Sequence, residues 1–435
     1  MKIAYIAAGA AGMYCGTCIS DNTLAAEMQR RGVDFILIPT YTPIRTDERD
    51  VSLNQVFYGG INVYLQQKLA FFRHTPRVFD RLLDGRGLLK SLSRFSGSTS
   101  AEDLGGLTIS VLQGELGPHK KELDRLVRWL RETYKPDLVH LTNSMFLGFA
   151  RELRRELNVP VICALQGEDI FLEDLIDPYK SQAISLLRER AADVDGFTAP
   201  CEYYADFMSE YLSIDRDRIR VVKLGVSLDG FGDASSLEQA TPFTIGYLAR
   251  ICPEKGLHLL AQAFRELTAA VGKDKVRLKV AGYLGQRDAS YFEEIKARMA
   301  RWELTDSVDY VGEVDRKQKL SFLNSIHVLS VPTPYHEPKG RFVLEALANG
   351  VPVVQPRHGN FPELLEDTGG GILVEPGNTF ALAGAFQHLM EHPEQRMELG
   401  RRGREKVYAS YSAGAMADAM LEVYRSYIDA GQIAS

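Results

Sequence analysis

Residues Tyr335–Val354 read YHEPKGRFVLEALANGVPVV, and the reading of the whole chain turns on this stretch. Glu337 lies in a loop and Glu345 in a helix, with seven residues between them. Pro338 and Gly340 fall in the gap, and Phe342, Leu344, Leu347 and Ala348 then recur at helical spacing. A glycine at a loop-to-helix junction lets a ligand approach the backbone closely. The start of a helix leaves the amides of Arg341 and Phe342 without intrahelical acceptors, so they can point at a phosphate. One acid ahead of the helix and one inside it can hold hydroxyl-rich groups on either side of that phosphate. A nucleotide sugar has this layout. The plainer reading is a loop–helix–strand unit with acids on its solvated side.

Around this stretch, short β-branched runs alternate with helical patterns. KIAYIAA (from Lys2), DFILI (from Asp34), LTISVL (from Leu107), DLVHL (from Asp137), VPVICAL (from Val159) and DGFTA (from Asp195) read as buried strands. Amphipathic stretches such as those from Lys120 and Phe146 separate them. A second series holds FTIGYL (from Phe243), VRLKVAG (from Val276), SVDYVG (from Ser307), HVLSV (from His327), VPVVQ (from Val351) and GILV (from Gly371). Such alternation predicts an α/β protein of two doubly wound parallel sheets facing a central cleft. The Gly-, Ser- and Asp-rich stretch Ser227–Pro242 is the expected linker, with the boundary near residue 235. The expected domains are 1–230 and 240–410, with a terminal helical segment over 411–435.

Composition narrows the class. A chain of 435 residues has room for two or three domains. The formal net charge of −6 gives no basic field for nucleic acid, so no nucleic-acid partner is expected. No apolar run approaches the roughly 20 residues of a membrane helix. The opening MKIAYIAAGAAGMYCG reads as a strand and a phosphate-facing loop, which implies a cytoplasmic protein. Five cysteines, an odd number in a large chain, fit a reduced compartment.

The segment Glu337–Val354 resembles the E-x7-E donor motif of retaining GT-B glycosyltransferases of family 4, which carry the glycosyltransferase group 1 domain. Glu337, Gly340, Glu345, Ala346, Ala348, Gly350, Pro352, Val353 and Val354 all match it. A second element, GYLARICPEKG over Gly246–Gly256, is similar to the family's G-x3-R-x4-K-G. The resemblance implies that Arg250 and Lys255 neutralise the departing nucleoside diphosphate in place of a metal ion. Fixed cations aimed at a leaving group act in the transition state. The plainer alternative, two surface cations near a helix start, is opposed by the helix dipole. The resemblance further implies that Glu337 holds a hydroxyl of the donor sugar and that Glu345 accepts from the ribose hydroxyls. It places Gly340, Arg341 and Phe342 at the diphosphate, and Val314 and Lys319 near the base. Arg316 stands where guanine-using members tend to carry an acid, which leans the donor toward uridine. A charged helix start is the alternative there.

In the first domain the resemblance points to Gly12 and Gly16 in the loop after the opening strand. Asp21 and Asn22 read as caps of the helix that follows. Where the family often has a His-containing turn, this chain has Gln166-Gly167-Glu168-Asp169, and Gln166 takes the donor-binding place. Gln can hydrogen-bond a hydroxyl but cannot titrate. The usual Asn-Gly-Val between the domains is Leu224-Gly225-Val226 here. Cys15-Gly-Thr-Cys18 can be a redox pair or half a zinc site, but small side chains lining a crowded loop is the favoured reading. His119, His140, His258, His327 and His358 read as structural, and His336 stands beside Glu337. The arginine-rich segment from Phe71 to Gly106 reads as a helical insertion. Its sharper reading is a cationic surface over 71–95 that meets an anionic or lipid-linked acceptor at the inner face of the membrane.

The resemblance therefore implies a retaining hexosyltransferase that needs no cofactor and no metal, moving a sugar from a nucleotide-sugar donor to an unassigned acceptor (a small molecule, a glycan or a lipid-linked group), with domain closure around the donor. The rivals are a nucleotide-sugar epimerase of the same fold, a non-catalytic sugar-nucleotide sensor, and a phosphorylase.

Overall fold

The computed structural model describes residues 1–9, 15–54, 56–57, 101–232 and 241–434. The chain divides into two compact units, Met1–Lys223 with Met416–Ser435, and Leu224–Ala415. Each is built on a six-stranded sheet.

The strands of the first unit are β1 (Lys2–Ala7), β2 (Asp34–Pro39), β3 (Leu138–Leu141), β4 (Val161–Ala164), β5 (Gly196–Ala199) and β6 (Ile219–Val221). Their order is β2-β1-β3-β4-β5-β6, and every pairing is parallel. Every residue of β3, β4 and β5 is buried, as a sheet covered on both faces requires. The terminal helix Ala413–Ala434 runs into this unit. Its Tyr424 hydroxyl lies 2.8 Å from His140 Nδ1, and its Asp418 pairs with Arg31.

One expected strand is a helix. LTISVL from Leu107 lies within the helix Ala101–Leu112. Its buried positions include Gly105, Thr108, Val111 and Leu112, a three-to-four-residue repeat. A short apolar run cannot separate a buried strand from a buried helix, and here the periodicity before it decides. The sixth strand is instead β6, with only Ile219 fully buried. The segment 71–95 and residues 233–240 of the expected linker lie outside the described residues.

In the second unit all six expected runs form strands: β7 (Phe243–Leu248), β8 (Val276–Ala281), β9 (Val308–Gly312), β10 (Val328–Leu329), β11 (Val353–Pro356) and β12 (Gly371–Val374). They are parallel in the order β12-β11-β10-β7-β8-β9. The strand order reverses between β10 and β7 here, and between β1 and β3 in the first unit. Ligands of doubly wound sheets bind beyond the carboxyl ends of strands at such a reversal. The loops after β7 and β10 flank that reversal in the second unit. No helix among the described residues is long and apolar enough to cross a membrane.

Candidate functional site

The helix Arg341–Ala348 begins at Gly340, whose φ of 65° is left-handed and suits glycine. All eight helical residues are buried. Small residues make this possible. A later helix of the same unit, Pro393–Ser410, comes so close that a Cβ on Gly400 would meet Gly350 O at 2.0 Å. The sequence pattern around Ala346, Ala348 and Gly350 is thus a packing requirement that seats Glu345 beneath the surface.

The loops after β7 and β10 touch. Gly256 adopts φ 71°, and a Cβ there would lie 2.0 Å from Pro332 O. This close backbone approach carries Lys255 to Glu337, and Lys255 Nζ donates to Glu337 Oε2. Glu337 Oε1 accepts from the amides of Lys339 (3.3 Å) and Gly340 (3.2 Å). From the other side Asn360 N donates to Glu337 O at 2.8 Å, and Gly359 leaves room for that backbone. Burial by itself raises the Glu337 carboxyl, but Lys255 and the Gly340 amide outweigh it and hold the group below the usual carboxylate range. Lys255 also lies 5.8 Å from the Tyr335 ring and 5.9 Å from the Phe342 ring. His336 stacks on His358 at 4.5 Å, and burial pushes His358 down.

Glu345 forms a second cluster. Its Oε1 accepts from Lys319 Nζ at 2.7 Å and from Arg341 Nε at 3.1 Å. Lys319, expected beside the base, is buried and tied to this carboxylate. Arg316 donates to the carbonyls of Ser227 (3.0 Å) and Asp229 (2.6 Å) and covers the Phe231 ring. That is a structural fastening of the segment entering the unit. Val314 is buried between β9 and the helix Arg316–Leu323, which Asp315 and Gln318 cap reciprocally. Arg250 stays on the β7 loop without reaching Glu337. Its Nε donates to Cys252 Sγ at 3.3 Å, and its guanidinium lies 4.0 Å from Glu254. So the structure unites Lys255, Glu337, Gly340 and Phe342, and it unites Lys319, Arg341 and Glu345.

In the first unit, Gly16 opens the helix Gly16–Arg30 with nothing within 4 Å of a Cβ placed on it. Gly12 lies outside the described residues. Gln166 Nε2 donates to Thr142 O at 2.8 Å and to Asp21 Oδ1 at 3.0 Å. Asp21, read from sequence as a cap, is buried and also accepts from Tyr5 (2.7 Å) and Thr142 Oγ1 (2.6 Å). Burial and the Asp21 carboxylate push the Tyr5 phenol well up, so it stays a donor. Glu168 bridges the Ser144 and Gln166 amides at 3.0 and 2.6 Å. Thr142 and Gln166 follow β3 and β4, so the strand-end rule was the signal that could have found Asp21. Cys15 and Cys18 are thiols, the second buried. Among the described residues no three His, Cys, Asp or Glu side chains form a group able to hold a metal ion.

Comparison with known proteins adds a chemical context. Residues 232–406 match the family "Glycosyl transferases group 1", and residues 109–229 match "Glycosyltransferase Family 4". A D-inositol 3-phosphate glycosyltransferase of Segniliparus rotundus is 26% identical over 407 residues, covering 86% of each chain. A glycogen synthase of Mycobacterium tuberculosis is 22% identical over 294 residues, covering 67% of this chain and 69% of that one. Among solved structures, Anabaena Alr3699/HepE in complex with UDP aligns with a TM-score of 0.69 at 16% identity, over 98% of this chain and 100% of that one. Sucrose-phosphate synthase from Thermosynechococcus elongatus aligns with a TM-score of 0.71 at 19% identity, over 99% and 100%. These two structural likenesses are likenesses of fold.

Proposed function

Since the chain belongs to the glycosyltransferases of group 1 and family 4 and has the GT-B fold, we propose that it is a retaining, metal-independent hexosyltransferase using a nucleotide-sugar donor. The observation that carries this reading is the Lys255–Glu337 pair at the sheet reversal, beside the helix start at Gly340. Arg250 and Lys255 would face the diphosphate, and Lys255 would trade Glu337 for a phosphate oxygen as the donor arrives. Glu337, released from that cation, would accept a hydroxyl of the donor sugar. The amides opening the helix Arg341–Ala348 add a fixed positive end for the phosphates. Glu345 would meet the ribose. The Anabaena neighbour's complexes with UDP and with UDP-glucose support a nucleotide-sugar donor, and a uridine donor is favoured. The acceptor is left open, since fold likeness does not name it.

The test is a thermal-shift panel of UDP-, GDP- and ADP-linked sugars with and without a chelator. A donor at about 100 times its Kd should add about 2.7 kcal/mol to stability. A shift with one base that ignores chelator supports the reading. No shift with any nucleotide sugar would sink it. Product analysis by NMR without acceptor then separates transfer from epimerisation.

A further inference from the structure

The backbone that carries Arg250 is fixed on both sides of that residue. Ala249 N donates to Ala281 O at 3.2 Å and Ile251 N to Tyr283 O at 2.9 Å, which fastens the loop after β7 to the loop after β8. Tyr247 of β7 is fully buried, and its hydroxyl donates to Arg250 O at 3.0 Å. Burial pushes that phenol well up, so it stays a donor. Cys252 is also fully buried, and its Sγ accepts from Arg250 Nε at 3.3 Å. The same cysteine is the N-cap of the 3-10 turn Pro253–Lys255, a place where a side chain ordinarily accepts from a backbone amide of the turn. Its sulfur makes no such bond and is turned to Arg250 instead. Glu254 Oε2, a buried atom with no hydrogen-bond partner, lies 4.0 Å from Arg250 Nη2, too far to capture it. The guanidinium is thus held at Nε, while its forked end is exposed and makes no hydrogen bond among the described residues.

We propose that Tyr247 and Cys252 are positioning residues that hold Arg250 in one orientation, with both Nη groups presented to the diphosphate of the donor. The inference rests on the nucleotide-sugar reading above and deepens it. A long side chain loses rotamer freedom when a ligand fixes it, and one already fixed has less to lose. The guanidinium is planar and rigid, so a bond at Nε also sets the direction of its two Nη groups. With Nε occupied, those two groups can bridge a pair of phosphate oxygens. Sulfur suits this task. As a weak, uncharged acceptor it orients the guanidinium without neutralising it, whereas a carboxylate in its place would cancel the charge meant for the phosphates. Burial pushes the Cys252 thiol up, so it stays neutral.

The experiment is a calorimetric titration of the full chain with UDP and UMP, with the GDP–GMP and ADP–AMP pairs in parallel. The ratio of the two affinities isolates recognition of the second phosphate. Arg250→Met should lower that ratio about 10- to 100-fold, the effect of hydrogen bonds between charged groups. Cys252→Ala and Tyr247→Phe should each lower it about 3- to 10-fold, the effect of one ordinary hydrogen bond. Added to Arg250→Met, the same two substitutions should change the ratio by less than about two-fold, because the side chain they act through is gone. A merely structural role would weaken both nucleotides alike and keep the ratio, or would act equally with and without Arg250, and either result overturns the proposal. An Arg250→Met ratio equal to that of the wild type overturns the phosphate role of Arg250 and the proposal with it. Binding of none of the nucleotides overturns the nucleotide-sugar reading instead. Tyr247→Phe removes a single hydroxyl, so a Cys252→Ala chain that fails to fold does not shield the proposal.

Discussion

Lys255 donates to Glu337 across 82 positions of sequence, joining the loop after β7 to the loop after β10. The pair is nearly buried, with side-chain exposures of 19% and 8%. Lys255 therefore holds Glu337 in its charged form. The carboxyl of Glu337 lies below its usual range because the cation outweighs burial. Its contribution to stability is present above the unfolded carboxylate value, about 4.3, and is lost as pH falls through the lower folded value. In Lys255→Met the burial remains without the cation, so the carboxyl rises above its unfolded value. The folded variant then binds the extra proton, and its stability falls as pH rises toward neutrality. We expect a deficit against wild type of about 1–3 kcal/mol at pH 7.5 that narrows toward pH 5. Urea denaturation at several pH values checks this. Parallel profiles for the two proteins would show that the pair is not coupled.

Gly256 and Gly16 make a matched contrast. A Cβ at Gly256 would strike Pro332 O at 2.0 Å, and its backbone is left-handed. Gly256→Ala should cost about 2–4 kcal/mol and displace Lys255. At Gly16 a Cβ meets nothing within 4 Å. Gly16→Ala in the first turn of a helix should leave stability unchanged or raise it by up to about 1 kcal/mol. A loss of sugar transfer in Gly16→Ala with an undiminished melting temperature would place a ligand against this residue. Full activity would remove Gly16 from the site.

What the sequence disclosed and withheld has a physical pattern. The helix of Glu345 and the glycine at its loop-to-helix junction were legible because spacing and glycine chemistry are local. The six strands of the second unit were legible because each β-branched run is bounded by turns. LTISVL misled because its apolar run is continuous, and β6 was missed because only one of its three residues is buried. The ion pairs were invisible for another reason. Lys319 meets Glu345 over 26 positions and Gln166 meets Asp21 over 145, and no periodicity spans such gaps. Their meeting follows from where the sheets reverse, which depends on strand order.

Asp21 shows the consequence. It accepts hydrogen bonds from Tyr5, Thr142 and Gln166 inside the first unit. Asp21→Ala takes the carboxylate acceptor from the buried Tyr5 and Thr142 hydroxyls and one acceptor from Gln166, which keeps Thr142 O. We expect a loss of about 3–5 kcal/mol, against about 1–2 for Tyr5→Phe, which removes one donor and leaves the others served. Chemical denaturation of the two variants measures both. A cost below about 1 kcal/mol for Asp21→Ala would return the residue to the simple capping role that its place in the helix suggests.

His140 sets a pH limit on the first unit. It is fully buried beneath the terminal helix, with Nδ1 on Tyr424, and burial lowers it to about 3. An unfolded histidine titrates near 6.5. Between those values the unfolded chain binds a proton that the folded chain excludes. Stability is therefore intact above about pH 6.5 and falls as pH drops toward 3, by at most about 1.4 kcal/mol per pH unit from this group. Replacing it with Gln, which keeps a polar atom for Tyr424 but cannot take a proton, should flatten that part of the profile while costing some stability at pH 7.5. The check is the difference in unfolding free energy between wild type and His140→Gln at pH 7.5, 6.0 and 5.0. The difference should shrink steadily as the solution is acidified, because only the wild type pays for excluding the proton. A difference that stays constant across the three values would mean that His140 takes up its proton in the folded state, and that water or the loosened terminal helix reaches it.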